Sequence, residues 1–353
     1  MSRGEDGTFA ELTWQEAMEK ASEKLMGVRG EEIQGCIGQF QNIESICAFK
    51  DLLNKLDCEN IDVRSNAPEL DCDFRGQYLM NSHITGIDDT DLLILVGTNP
   101  KIECPVFNAR IRRAQLMNGL EVAVIGPANN LSYNYTHLGS STKTLKDIAE
   151  GNHPYCERIN AATLPMVVVG SETLARADSK GIQNYLNVLG ENTNVINEAE
   201  AWNGLNILHQ DAGKIGALDL GISTQKSTDT KAKVVFLMGA DHFRHEDIPE
   251  DAYVIYMGTT GDEGVYYADL ILPSASYFES QGTYTNTDGR VQQTRQALGP
   301  PGYARDDWMV LRALSEEMGT PLPYDSLDEI RTRLAELAPH LVRYDVIEPT
   351  SVD

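Results

Sequence analysis

The residues best placed to do chemistry sit where apolar runs end. Leu95-Val96-Gly97-Thr98-Asn99-Pro100 and Leu237-Met238-Gly239-Ala240-Asp241 each put small and polar residues just past a predicted strand, the position at which doubly wound sheets bind ligands. Gly97 or Gly239 would let the backbone approach a phosphate, and Asn99 or Asp241 could take a ribose hydroxyl or a base edge. Neither exit has the G-x-G-x-x-G spacing of a dinucleotide fingerprint, and a tight turn out of a strand asks for the same residue types without any ligand. A third segment, residues 268–292, sets Asn286 and Arg290 beside Gly282 and Gly289. The glycines permit close turns, and the two polar side chains can hold a carboxylate or phosphate or simply brace the loop. Carboxylates such as Glu279 and Asp288 carry no two-electron chemistry without a metal or redox group beside them.

Other chemistries find little support. Asp241, His242, His245, Glu246 and Asp247 have spacing that suits a divalent metal if helical, but Pro249 and the acidic surroundings point to an exposed loop. Cys36, Cys47, Cys58, Cys72, Cys104 and Cys156 never approach C-x-x-C spacing, so they are read as reduced thiols in a reducing compartment. No G-x-S-x-G elbow appears at a strand exit, and Cys104, ahead of Pro105, has no activating histidine in a visible motif and reads as packing at a helix start.

The elements that must position these residues alternate between strand and helix. Thr13 and Glu16 form a capping-box pattern ahead of a helix with Ala17, Met18, Ala21 and Leu25 on one face and Gly27 as its stop. A strand over Ile33 to Ile37 precedes a helix bearing Ile43, Ile46, Cys47, Leu53 and Leu56. Leu92 to Val96, a helix from Pro105 to Asn118 closed by Gly119, and Val122 to Ile125 make a βαβ unit. Strands over Val234 to Met238, Tyr253 to Met257 and Leu270 to Leu272 make the architecture look duplicated. Between them lie a strand at Met166 to Val169, a helix from about Ser171 to Gly190, and a polar loop, Ser223 to Lys233. After Pro300-Pro301-Gly302, two helical stripes follow, Trp308, Leu311, Leu314 and Met318, then Leu327, Ile330, Leu334 and Leu337.

With 53 acidic against 29 basic side chains and a formal charge of -24, the 353-residue chain repels nucleic acid and anionic membranes and favours basic protein surfaces. Its apolar runs are too short to span a bilayer, which takes about twenty residues. The opening Met1-Ser2-Arg3-Gly4-Glu5-Asp6 has no secretion core and is too acidic for a transit peptide.

Residues 268–292 resemble the segment of molybdopterin-dependent oxidoreductases in which A-D-x-x-L-P is followed by E-x-x-G-T-x-x-N-x-x-G-R-x-Q. Here these are Ala268, Asp269, Leu272 and Pro273, then Glu279, Gly282, Thr283, Asn286, Gly289, Arg290 and Gln292. Val96-Gly97-Thr98-Asn99-Pro100, Phe107-Asn108-Ala109-Arg110-Ile111-Arg112, Ala217-Leu218-Asp219-Leu220-Gly221 and Leu341-Val342-Arg343-Tyr344-Asp345 narrow this. They resemble the 75 kDa type of large iron–sulfur subunit of respiratory complex I, in its carboxyl-terminal part.

The resemblance implies an α/β fold of two Rossmann-like doubly wound parallel-sheet halves of the molybdopterin oxidoreductase (formate dehydrogenase/DMSO reductase) type, with covering carboxyl-terminal helices. The expected segments are 1–90, the amino-terminal part of the first half; 91–232, a Rossmann-like region with a helical insertion; 233–300, the second strand set and pseudo-cofactor loop; and 301–353, the helices and tail. It implies a vestigial pocket at Gly97, Thr98, Asn99, Gly239, Asp241, Glu279, Gly282, Thr283, Asn286, Gly289 and Arg290, with no catalytic residue and no metal ligand. No cofactor is expected in this chain, and iron–sulfur clusters are expected in an amino-terminal part of the subunit that is missing here. The barrel that completes the pterin clamp in active enzymes is likewise not expected in this chain. The implied role is a non-catalytic structural domain in the NADH-oxidising peripheral arm, supporting electron transfer from NADH to ubiquinone on the matrix side of the mitochondrial inner membrane. Its expected partners are other peripheral-arm subunits and the iron–sulfur domain of the same subunit, without nucleic acid or direct membrane insertion. The alternative is an active molybdopterin-dependent oxidoreductase of the formate dehydrogenase type. A free-standing Rossmann dehydrogenase lacks its glycine-rich turn here.

Overall fold

Buried parallel strands read as continuous apolar runs because both faces are covered, and Ile33–Ile37, Leu92–Val96 and Val234–Met238 are buried at every residue. The computed structural model describes residues 1–63, 70, 72–222, 231–241 and 247–348. The chain divides into two units. One comprises Met1–Ser65, Asp211–Asn286 and Val291–Val346; the other comprises Asn66–Gln210, Thr287–Arg290 and Ile347–Asp353.

The first unit holds a seven-stranded sheet in the order Phe9–Ala10, Ser2–Arg3, Leu270–Pro273, Tyr253–Gly258, Val234–Met238, Ile33–Ile37 and Ile61–Val63. The last five strands are parallel, and the first two add an antiparallel edge. Helix Trp14–Met26 opens with the capping box read from Thr13 and Glu16 and buries Ala17, Met18, Ala21 and Leu25. Helices Ile43–Asn54, Asp307–Glu317 and Leu327–Leu337 share its core, where Phe49 meets Phe236 edge to face at 5.1 Å and Trp308, Leu311, Ile330 and Leu334 close the layer. The carboxyl-terminal helices therefore cover this core, as expected.

The second unit holds an all-parallel five-stranded sheet in the order Leu205–Leu208, Pro165–Gly170, Leu92–Val96, Glu121–Ile125 and Thr136–Gly139. Helix Pro105–Asn118 starts on its proline and ends at Gly119 in the left-handed conformation, φ 73°, the conformation that glycine adopts at least cost. It buries Phe107, Ile111 and Ala114 against Leu93, Leu95 and Val124.

The chain divides differently from its consecutive reading. Residues 1–90 do not complete the half that begins at Leu92, because Ile33–Ile37 pairs in parallel with Val234–Met238. The segments 1–90, 91–232 and 233–300 cut across discontinuous units, since apolar periodicity identifies a strand but not its neighbour. The helix expected from Ser171 to Gly190 is two helices, Ser171–Leu174 and Ser179–Asn192, separated where Asp178 turns to pair with Arg176 at 2.7 Å. Residues 223–230 of the expected polar loop lie outside the described residues. All six cysteines are free thiols. Among the described residues no helix is long and apolar enough to cross a membrane.

Candidate functional site

Each sheet reverses its winding once, and ligands of doubly wound folds bind outside the strand carboxyl ends at that reversal. In the five-stranded sheet it falls between Leu92–Val96 and Pro165–Gly170, so the exits are Gly97 and Gly170. Gly97, at φ 55°, accepts a hydrogen bond on its carbonyl from Thr173 Oγ1 at 2.8 Å, and a Cβ there would strike that threonine. A Cβ at Gly170 would lie 2.9 Å from the Gly97 oxygen. Thr98, buried, donates its hydroxyl to Glu103 Oε2 at 2.7 Å, and the Asn99 amide donates to Glu103 Oε1. Glu103, on the short helix Pro100–Glu103, thus occupies the donors that a cofactor phosphate would require. Asn99 Oδ1 is buried without a partner among the described residues, but as an acceptor it offers a phosphate nothing.

Beside this exit lies a cavity of about 240 Å³. Val96, Gly97 and Ile125 line it from the strand ends, Thr142 and Glu172 from helix starts, and Arg176 from the turn between two helices. Arg176 is already held by Asp178, Nε to Oδ1 at 2.7 Å and Nη2 to Oδ2 at 3.0 Å.

In the seven-stranded sheet the reversal falls between Ile33–Ile37 and Val234–Met238. Here backbone meets backbone: a Cβ on Gly38 would strike the Gly239 carbonyl, and one on Gly239, at φ 59°, would strike the Gln41 carboxamide. Asp241 accepts from the Gly264 amide at 3.0 Å and lies 3.4 Å from the Tyr256 hydroxyl, tying the start of helix Glu263–Tyr267 to its strand. Of the histidine-rich segment, residues 242–246 lie outside the described residues.

The segment that carries the resemblance is held from within its unit. Glu279 Oε2 accepts from the Ser276 amide at 2.9 Å. Gly282 packs on Asn42, where a Cβ would come within contact distance of three Asn42 atoms. Asn42 caps helix Ile43–Asn54 by accepting the Ser45 amide at 2.8 Å. Thr283 gives its amide and its hydroxyl to the two oxygens of Glu44, each at 2.7 Å. Glu44 is fully buried and also meets Arg331 Nε at 3.0 Å. Strands Thr283–Thr285 and Val291–Gln293 form a hairpin whose turn, Thr287–Arg290, groups with the other unit. There Thr287 Oγ1 donates to the Ile207 carbonyl at 3.0 Å, and Gly289, at φ 80°, leaves room for Leu79 and Arg75. Asn286 and Arg290 are partly buried, and each is engaged by the protein.

Sequence reasoning missed Glu103, Glu44 and Arg331, and also Lys214. This lysine opens the helix Lys214–Asp219, is 1% exposed and has no hydrogen-bond partner at Nζ among the described residues. Burial lowers it to about 8, opposed by the charge of Asp211. Asp307 shows the converse shift: burial pushes its carboxyl up to about 8 with the charge of Asp306 adding, and it accepts the Ser274 hydroxyl.

The molybdopterin oxidoreductase family profile matches residues 1–317. The chain belongs to that family. It is 42% identical over 347 residues to the mitochondrial 78 kDa subunit of NADH-ubiquinone oxidoreductase from Candida albicans, covering 97% of this chain and 48% of that protein. It is 40% identical to the mitochondrial NADH dehydrogenase [ubiquinone] iron-sulfur protein 1 of Solanum tuberosum, covering 99% and 47%. It is 38% identical to the 75 kDa subunit of NADH-ubiquinone oxidoreductase of Reclinomonas americana, covering 99% and 53%. The chain therefore spans about half the length of these relatives. Among solved structures, a chain of the formyltransferase/hydrolase complex of Methylorubrum extorquens shares the fold at TM-score 0.64 and 14% identity, covering 90% of this chain and 98% of that one. Acetylene hydratase of Pelobacter acetylenicus shares it at TM-score 0.55 and 14% identity, covering 90% and 60%. The α/β reading with two parallel sheets of molybdopterin-oxidoreductase type is thus borne out.

Two consequences can be measured. Arg331→Met leaves Glu44 charged and buried without its cation, so urea unfolding should show a loss of about 3–5 kcal/mol; a loss within error would remove the pair from the account. Lys214→Met removes a buried ammonium that has no hydrogen-bond partner among the described residues, and should stabilise the chain by about 2–4 kcal/mol at pH 7. The folded-state value lies below the unfolded 10.5, so the penalty is full below about pH 8. It fades between about pH 8 and 10.5, where the unfolded chain holds the extra proton. The advantage of the variant should shrink over that window, and an advantage independent of pH would contradict this cause.

Proposed function

We propose that this chain is the molybdopterin-oxidoreductase-like part of the large iron–sulfur subunit of a respiratory NADH:ubiquinone oxidoreductase, retained as a scaffold without a reaction of its own. The observation that carries this reading is the similarity of 38–42% over 97–99% of the chain to three relatives that bear that subunit's names.

The donor set agrees with it. A phosphate-bearing pterin dinucleotide needs amides and hydroxyls aimed at its anions and glycine backbones it can approach. In this chain Glu103 and Glu44 hold the hydroxyls of Thr98 and Thr283, and Gly38 and Gly239 stand against each other. A carboxylate at each hydroxyl repels the group that the site would have to hold, so the residues present do not fit that cofactor. The structural counterpart of the scaffold role is the mutual satisfaction of these groups: the loops are stiff because their partners are internal.

In this reading electrons from NADH travel towards ubiquinone through iron–sulfur clusters held in the rest of the subunit, and this chain supports that part and docks neighbouring subunits of the peripheral arm. The mitochondrial names of two relatives support placement in the mitochondrion, and the reading puts the chain on the matrix side of the inner membrane. The formal charge of -24 favours basic faces on most of those neighbours.

The test is native electrophoresis of gently solubilised respiratory membranes from the source organism, stained for NADH dehydrogenase activity and probed for this chain. The chain should co-migrate with that activity. A chain migrating apart from it, or with formate- or nitrate-dependent activity, would overturn the assignment.

A further inference from the structure

The segment 100–118 departs from the charge of the whole molecule. It carries Lys101, Arg110, Arg112 and Arg113 against Glu103, four cations to one anion, in a chain with 53 acidic and 29 basic residues. Its inner side is accounted for by Phe107, Ile111 and Ala114 in the core. Its outer side is not: Ile102 and Val106 are each 76% exposed, Leu116 is 72% and Met117 77%. Within helix Pro105–Asn118, Val106, Ala109, Arg112, Arg113, Leu116 and Met117 fall on the exposed side, and Ile102 lies on the preceding short helix Pro100–Glu103, which the non-helical Cys104 separates from it.

Arg110 and Arg113 both reach Asp88, at 3.0 and 2.7 Å. Arg112 is exposed and makes no ion pair or hydrogen bond among the described residues, and Lys101 Nζ meets only the Asn130 carbonyl, at 3.0 Å. Three large apolar side chains this exposed on one helix, with a fourth on the short helix just before it, are the mark of an interaction surface rather than of scattered surface residues.

We infer that the outer face of helix Pro105–Asn118, extended by Ile102, docks an acidic amphipathic helix of another protein. Apolar residues of the partner would cover Val106, Leu116 and Met117, and its carboxylates would pair with Arg112 and Lys101. Charge complementarity selects this occupant. A second copy of this strongly acidic chain brings net repulsion, and an anionic lipid surface meets the same repulsion across all but this small face. The inference stands apart from the respiratory assignment, since it rests on this face alone.

The experiment titrates the purified full chain with two synthetic helical peptides that share leucines at i, i+3, i+4 and i+7 but carry glutamates or lysines on the flanks. The glutamate peptide should bind, more weakly as salt rises. Arg112→Glu and Leu116→Glu, both at exposed positions, should each weaken it by about tenfold or more, with unchanged circular dichroism and melting. Equal binding of the lysine peptide, or affinity unchanged in both variants, overturns the inference. So does self-association that Leu116→Glu abolishes, which assigns the face to a second copy, or binding to vesicles rich in phosphatidylserine that Arg112→Glu abolishes, which assigns it to a membrane.

Discussion

A carboxylate with no exposure to water holds the first unit together. Glu44 lies in the first turn of helix Ile43–Asn54, where the helix dipole favours negative charge, and its two oxygens take the amide and hydroxyl of Thr283 and the guanidinium of Arg331. Three elements distant in sequence, the helix, the 283–293 hairpin and the carboxyl-terminal helix Leu327–Leu337, are thereby fixed to one another. A buried ion pair gives little net stability over an apolar replacement, but losing one member is costly. The arrangement therefore specifies where the hairpin sits more than it adds to the folding free energy.

The same logic recurs at the other exit. Glu103 completes the Thr98 hydroxyl and Asn99 amide, much as a bound anion would if it were present. Buried donors must be matched, and here a neighbouring carboxylate matches them. At Gly97, Gly239, Gly282 and Gly289 the close approach is made by the chain's own residues. Their presence reports close approach, and what approaches has to be learned from the structure.

Much of the fold was legible. Continuous apolar runs gave the central strands, Thr13 and Glu16 the first capping box, and Pro105 and Gly119 both ends of one helix, because each signal is local. Pairing was not: nothing in Ile33–Ile37 says that its neighbour is Val234–Met238, about two hundred residues on, so the discontinuous units escaped the reading. Glu44 looks like any first-turn glutamate, since Thr283 lies 239 residues away and Arg331 lies 287 away. The motif glycines sit where neighbouring residues crowd in, and Thr283 sits in a strand bound to Glu44. The basic helix face was visible as composition but acquired meaning only once its inner side was seen to be occupied.

The central claim is that the hydrogen-bond donors beside the exits of both sheets are taken by the chain's own carboxylates, Glu103 and Glu44. The most direct test is metal analysis of the purified chain, with mass spectrometry of the small molecules it releases on denaturation. The account predicts molybdenum, tungsten and pterin well below one equivalent. A stoichiometric pterin with its metal would contradict it, because Glu103 and Glu44 would then have to release the hydroxyls of Thr98 and Thr283 to the cofactor.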